Sequence, residues 1–183
     1  QVVSDAMAIE LVKKGTAYIN VFMYVIHELE DAITDCKKAT IADNQDAVHA
    51  WDEGWAFYAG SQQVVAGSGY LVYRLADKRC TNYGTCTRAG TGTLSGKMTT
   101  GTSAVNKALL AQFEMGRDAL GQGKCADGRL ALDQIIKHMS IPLIQGAMRY
   151  AYKTDPVVVA AAGGTKSDKE IGEAVVFAAA VLP

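Results

Sequence analysis

The chain has 183 residues, a formal net charge of -1 and a pI near 6.3, which argues against a nucleic-acid binder built on a basic face. Its length points to one domain, 1–183, with room for a substantial core. No apolar run approaches the roughly 18 residues of a membrane span. No basic leader precedes an apolar signal core, so any signal peptide has been removed already or never existed.

Residues 4–39 are helix-friendly and free of proline, with Ile19, Phe22, Ile26, Leu29 and Ile33 at helical spacing and Gly15 as a break point. Residues 40–45 read as a polar turn, with Asp43 or Asn44 capping a second helix that runs to about Gly60. A loop with Gly67 and Gly69 leads to a shorter helix over 70–78. Residues 80–102 are rich in Gly and Thr and lack an apolar period, as expected of a long irregular loop between cysteines. Ser103 caps a helix reaching about Leu120, closed by Gly121 and Gly123. The next helix starts near Asp127 on a stripe of Leu132, Ile135, Ile136, Met139 and Leu143, and Pro142 should kink or end it. Residues 157–164 form a connector, and Ser167 or Asp168 starts a last helix through about Leu182. The expected fold class is all-α, a bundle of about five or six helices.

The four cysteines are Cys36, Cys80, Cys86 and Cys125. An even number at wide spacing fits two disulfides in an oxidising compartment, with three pairings open. Cys80 and Cys86 flank a turn containing Gly84 and could close a short loop. The Cys-x-x-Cys spacing of a zinc cluster is absent.

In the second helix, His49, Asp52, Glu53, Ala56 and Gly60 share one sector, and Trp51, Trp55 and Tyr58 lie opposite as candidate core. Small residues on the first sector would admit a neighbouring helix, and acids buried there need a proton, a partner or a metal. The first helix offers His27 and Glu30, neighbours at i,i+3. An antiparallel pairing of the two helices puts Glu30 near the level of Glu53, and leaves His49 roughly 12 Å along the axis from His27. In the last helix, Glu173 shares a face with Val176, Phe177 and Ala180, whereas Glu170 is nearer the polar start and more exposed. Two imidazoles and several carboxylates on three helices suit iron, manganese or zinc. The plainer readings are a flank ion pair for His27 with Glu30, and a surface pair for His49 with Glu53. Asp52 is then solvated or an outer acceptor, and Glu173 pairs with a base such as Arg149. His138 lies off its helix's apolar stripe and should be exposed. No Gly-x-Ser-x-Gly elbow and no phosphate-binding loop is present.

The runs HAWDEGWAFYAGS (49–61) and EAVVFAAAVLP (173–183) resemble the secreted iron-assimilation proteins of algae, also described as low-iron-inducible periplasmic proteins. The resemblance implies export to the periplasmic space or cell wall and a role in iron uptake. At matching positions it points to His49, Asp52, Glu53 and Glu173; His27 and Glu30 rest on helix geometry alone. The expectation is an extracellular iron-binding bundle for capture or delivery, not an enzyme. Its cargo would be ferric or ferrous iron, with zinc or manganese fitting the same donors. Its partners would be the metal ion and cell-surface iron uptake machinery, with no nucleic acid and no membrane span. A metal-dependent enzyme using the same centre, or a structural cell-surface module without metal, are the alternatives.

Overall fold

A computed structural model describes residues 3–38, 45–60, 69–88 and 93–182, and among them the fold is helical apart from one small sheet. The expected caps Asp43 and Asn44, and Gly67, lie outside the described residues. Helix α1 (Asp5–Gly15) begins at Ser4, whose hydroxyl accepts from the Met7 backbone N–H. The break expected at Gly15 is a π-helical turn, Thr16–Asn20, that leads directly into α2 (Val21–Lys38). Helix α3 (Gln45–Ala59) packs along α2, where Gly54 lies against Leu29.

Helix α4 (Val72–Tyr83) stops at Gly84, whose φ of 66° suits a residue without a Cβ. Part of the segment expected to be irregular is therefore helical, and part is a short antiparallel ladder. In that ladder β1 (Cys86–Thr87) pairs with β2 (Thr102–Ser103). Ser103 caps α5 (Ala104–Gly121), as its sequence predicts, by accepting from the Val105 N–H. Helix α6 (Cys125–Thr154) continues well past Pro142. Pro142, Leu143, Gly146 and Tyr150 are all buried, so packing carries the helix through the missing hydrogen bond. The connector after it contains a short helix, α7 (Pro156–Ala161), and α8 (Asp168–Ala180) ends the described fold.

The core joins Val25, Leu29 and Ile33 of α2 to Trp51 and Tyr58 of α3, Phe113 and Leu120 of α5, and Leu132, Ile135 and Met139 of α6. The Trp51 indole N–H donates to the Phe113 carbonyl at 2.8 Å, so the tryptophan is buried without an orphaned donor. Disulfides Cys36–Cys125 and Cys80–Cys86 settle the pairing that the sequence left open.

Helix α8 lies between α1 and α6, and glycines make both approaches close. A Cβ at Gly172 would stand 2.9 Å from the Met7 carbonyl oxygen, and one at Gly146 would stand 2.5 Å from the Phe177 ring. Gly146→Ala should therefore force Phe177 aside and cost about 1–3 kcal/mol, the range for overpacking. A thermal melt checks this, and an unchanged midpoint would mean that the ring moves freely.

Candidate functional site

The residues expected to form a site stand as follows. His27 is exposed, with Nε2 3.4 Å from an Asp31 carboxylate oxygen one turn along α2. Glu30 is gripped by both terminal nitrogens of Arg129 from α6, which holds its carboxyl below the ordinary range. His49 Nε2 lies 3.3 Å from Glu53, and the histidine side chain is 77% exposed. Asp52 is exposed as well. The small-residue side of α3 thus faces solvent, because Trp51, Gly54 and Tyr58 form the side that the neighbouring helices cover. Of the six residues, Glu173 alone is buried. Among the described residues, no three His, Cys, Asp or Glu side chains form a group that could hold a metal. His138, expected to be exposed, is half-buried with Nδ1 2.7 Å from the Gln134 carbonyl oxygen.

Glu173 belongs to a different cluster, on elements that its own glycine brings together. The close approach at Gly172 sets Glu173 against α1, where Glu10 and Lys14 are neighbours one turn apart on a single face. Glu10 and Glu173 are each 6% exposed. Lys14 Nζ stands between them, 3.7 Å from Glu10 and 3.5 Å from Glu173. Tyr18 is carried on the π-helical turn and stacks on Phe177 with centroids 5.1 Å apart. Tyr150 of α6 also stacks on Phe177, at 5.5 Å. The two phenols are thus held by one aromatic wall. Arg79 enters from α4 with its guanidinium 5.9 Å from the Tyr150 ring centre.

The electrostatics of this centre are unusual. Burial pushes the Tyr18 hydroxyl well above its ordinary value; the Arg79 charge opposes the shift, and Tyr150, Glu173 and Glu10 add to it. Tyr150 is pushed up to about 12, by burial first and then by the Glu173 carboxylate beside its hydroxyl. Burial, then Lys14, Arg74 and Arg79, lowers Lys78 at the same place. Glu10 Oε2 and the Nε and Nη1 of Arg79 are buried without a hydrogen-bond partner. Such groups are costly, of order 1–3 kcal/mol each, and call for an explanation. Two carboxylates thus flank one ammonium, the Tyr150 hydroxyl lies beside Glu173, and Tyr18 shares the Phe177 wall, with basic side chains around them. The acids and phenols are hard oxygen donors, a different set from the imidazole-rich one expected.

Tyr150 gives a pH signature. Its folded-state value lies above the ordinary 10.0, so its share of stability is full below about pH 10 and is lost as pH rises through about 12. Denaturant midpoints should fall over that window, and less steeply in Tyr150→Phe. Equal slopes would place the Tyr150 hydroxyl in water.

Glu10, Lys14, Tyr18, Arg79 and Tyr150 went unread in the sequence. A usable signal was the Glu10, Lys14 spacing, which puts an acid and a base on a single stripe of the first helix.

No curated protein and no solved structure matches the chain. No described helix is long and apolar enough to cross a membrane. Residues 6–176 match the family described as Fea1, low iron-inducible periplasmic protein. The match spans Glu10, Tyr18, Arg79, Tyr150 and Glu173 as well as the exposed His49–Glu53 pair, and the chain belongs to this periplasmic family of proteins induced when iron is low.

Proposed function

We propose that the chain captures or delivers iron outside the cytoplasm, holding ferric iron through Glu10, Glu173 and the phenol oxygens of Tyr18 and Tyr150. The observation that carries this reading is the burial of two carboxylates around one ammonium, with the Tyr150 hydroxyl beside Glu173 and Tyr18 stacked on the same Phe177, in a family induced by iron shortage. Carboxylate and phenolate oxygens are hard donors, and they suit a small ion of high charge. Glu173 is the one residue expected from the sequence that stays in the ligand set; His27, Glu30, His49, Asp52 and Glu53 sit on exposed or partly exposed faces of α2 and α3. Arg79, with two buried donor nitrogens unused, gives a place for water or a small oxyanion beside the metal. The role is binding rather than turnover, and the cargo passes on to iron uptake machinery at the cell surface.

Both phenols are protonated at neutral pH, so binding through them must release protons. Ferric titration in weakly buffered solution should acidify the medium, and affinity should rise with pH. A visible tyrosinate-to-iron charge-transfer band should accompany binding. Iron binding without proton release or colour would move the site away from the tyrosines. Absence of binding of ferric, ferrous, zinc and manganese ions would favour the structural reading, in which Lys14 merely neutralises the two acids.

A further inference from the structure

We infer that Lys14 is a resident counter-ion that occupies the metal's seat between Glu10 and Glu173 and must swing out before a metal ion can enter, so that only strongly bound cations are admitted. The inference rests on the iron-binding reading of this centre.

The geometry is that of a plug. Lys14 Nζ touches both buried carboxylates, while its side chain is 16% exposed against 7% for Glu10 and 8% for Glu173. The lysine side chain is therefore the most exposed of the three. Neighbouring Lys13 also approaches Glu10, at 3.7 Å, but is 47% exposed and has no contact of this kind with Glu173. Two carboxylates buried side by side without a cation would repel each other, and one would take up a proton. Lys14 removes that need while the seat holds no metal.

An ammonium is a weak substitute for a metal ion. Its separations of 3.5–3.7 Å far exceed metal–oxygen bonds, which run at about 2.0–2.6 Å. A metal that bonds both oxygens must take the space that Nζ fills. The way out is open. Lys14 has a flexible four-carbon stem and stands at the end of α1. Its side chain already reaches the surface, at 16% exposed, so the ammonium can turn outward about its own stem bonds.

Displacement gives up the contacts of Lys14 with both acids. That loss is the same for every metal ion, so it lowers all affinities by one factor. Weak divalent binders such as calcium and magnesium then fall below useful affinity, and an ion of higher charge does not. Lys14 thus sets a threshold at a site whose oxygen donors alone would also suit calcium.

The test uses Tb3+ and Ca2+ as probes, with binding read by tyrosine-sensitised terbium luminescence and by calorimetry. Lys14→Gln should bind Tb3+ about tenfold tighter or more, and should gain calorimetric Ca2+ binding that the wild type lacks. Lys13→Gln should change little. A second readout needs no variant. Acetylation of wild-type lysines, followed by peptide mass spectrometry, should show Lys14 reacting faster once Tb3+ or Fe3+ is bound. Unchanged or slower acetylation of Lys14 in the loaded protein overturns the inference. So does a folded Lys14→Gln that binds no tighter. If the wild type takes iron in these cases, the iron reading stands alone. If Lys14→Gln takes Tb3+ tightly and the wild type takes no iron, the plug stands and the iron reading falls. If neither protein binds any ion, both fall.

Discussion

Glu173→Gln should weaken ferric binding by about 100-fold or more, beyond what loss of a supporting hydrogen bond to a ligand does, while Glu170→Gln should change it little. The two residues lie one turn apart on α8 but in different surroundings. Glu173 is 6% exposed, with the Lys14 ammonium 3.5 Å away and the Tyr150 hydroxyl beside it. Glu170 is half-buried at the helix start and bound to Lys153. The amide keeps the size of Glu173 and removes its charge, so a lost ligand can be told from a lost shape. An apo melting point close to the wild type should accompany the change, because Glu10 remains to hold Lys14. Equal effects of the two substitutions on iron affinity would show that Glu173 is not a ligand.

The largest effect on stability should come from the Cys36–Cys125 bridge. It closes a loop of 89 residues and ties the end of α2 to the start of α6. The chain-entropy estimate for a loop of that size is about 4–5 kcal/mol. For a chain of this length that corresponds to a melting point lower by about 10 °C or more. The double variant Cys36→Ser, Cys125→Ser should show this loss in a calorimetric scan. The Cys80–Cys86 bridge closes a loop of only 6 residues, and its removal should cost roughly 2 kcal/mol. Equal losses from the two would mean that the unfolded chain is already compact around the long loop. The Glu30–Arg129 pair joins the same two helices as the first bridge. It is partly exposed and adds little beside the covalent link.

Much of the fold was legible because its signals are local. Apolar residues at helical spacing placed the helices, and Ser103, Gly84 and the cysteines marked boundaries that the structure keeps. Pro142 does not end its helix, because burial on both sides of it outweighs one missing hydrogen bond. The Trp51 and Tyr58 side of α3 was read correctly as core. Its opposite side was read as an approach surface, yet small residues are equally at home in water, and nothing local tells the two cases apart. Glu173 stood out because a carboxylate on an apolar face needs a partner. Its partners did not stand out, since they come from α1, α4 and α6 and meet only in three dimensions. Tyr18 was hidden further by the π-helical turn, which breaks the regular helical period on which residue faces are counted. Arg79 sits in a helix with Arg74 and Lys78, and a basic helix reads as solvated until one of its arginines proves to be buried.

The most direct measurement is an anomalous difference map at the iron edge from crystals loaded with ferric ion. The predicted result is one peak bounded by Glu10, Glu173, Tyr18 and Tyr150, with the Lys14 ammonium moved outward. A peak at the exposed His49–Glu53 pair, or none in crystals soaked to saturation, would contradict the buried oxygen-donor site.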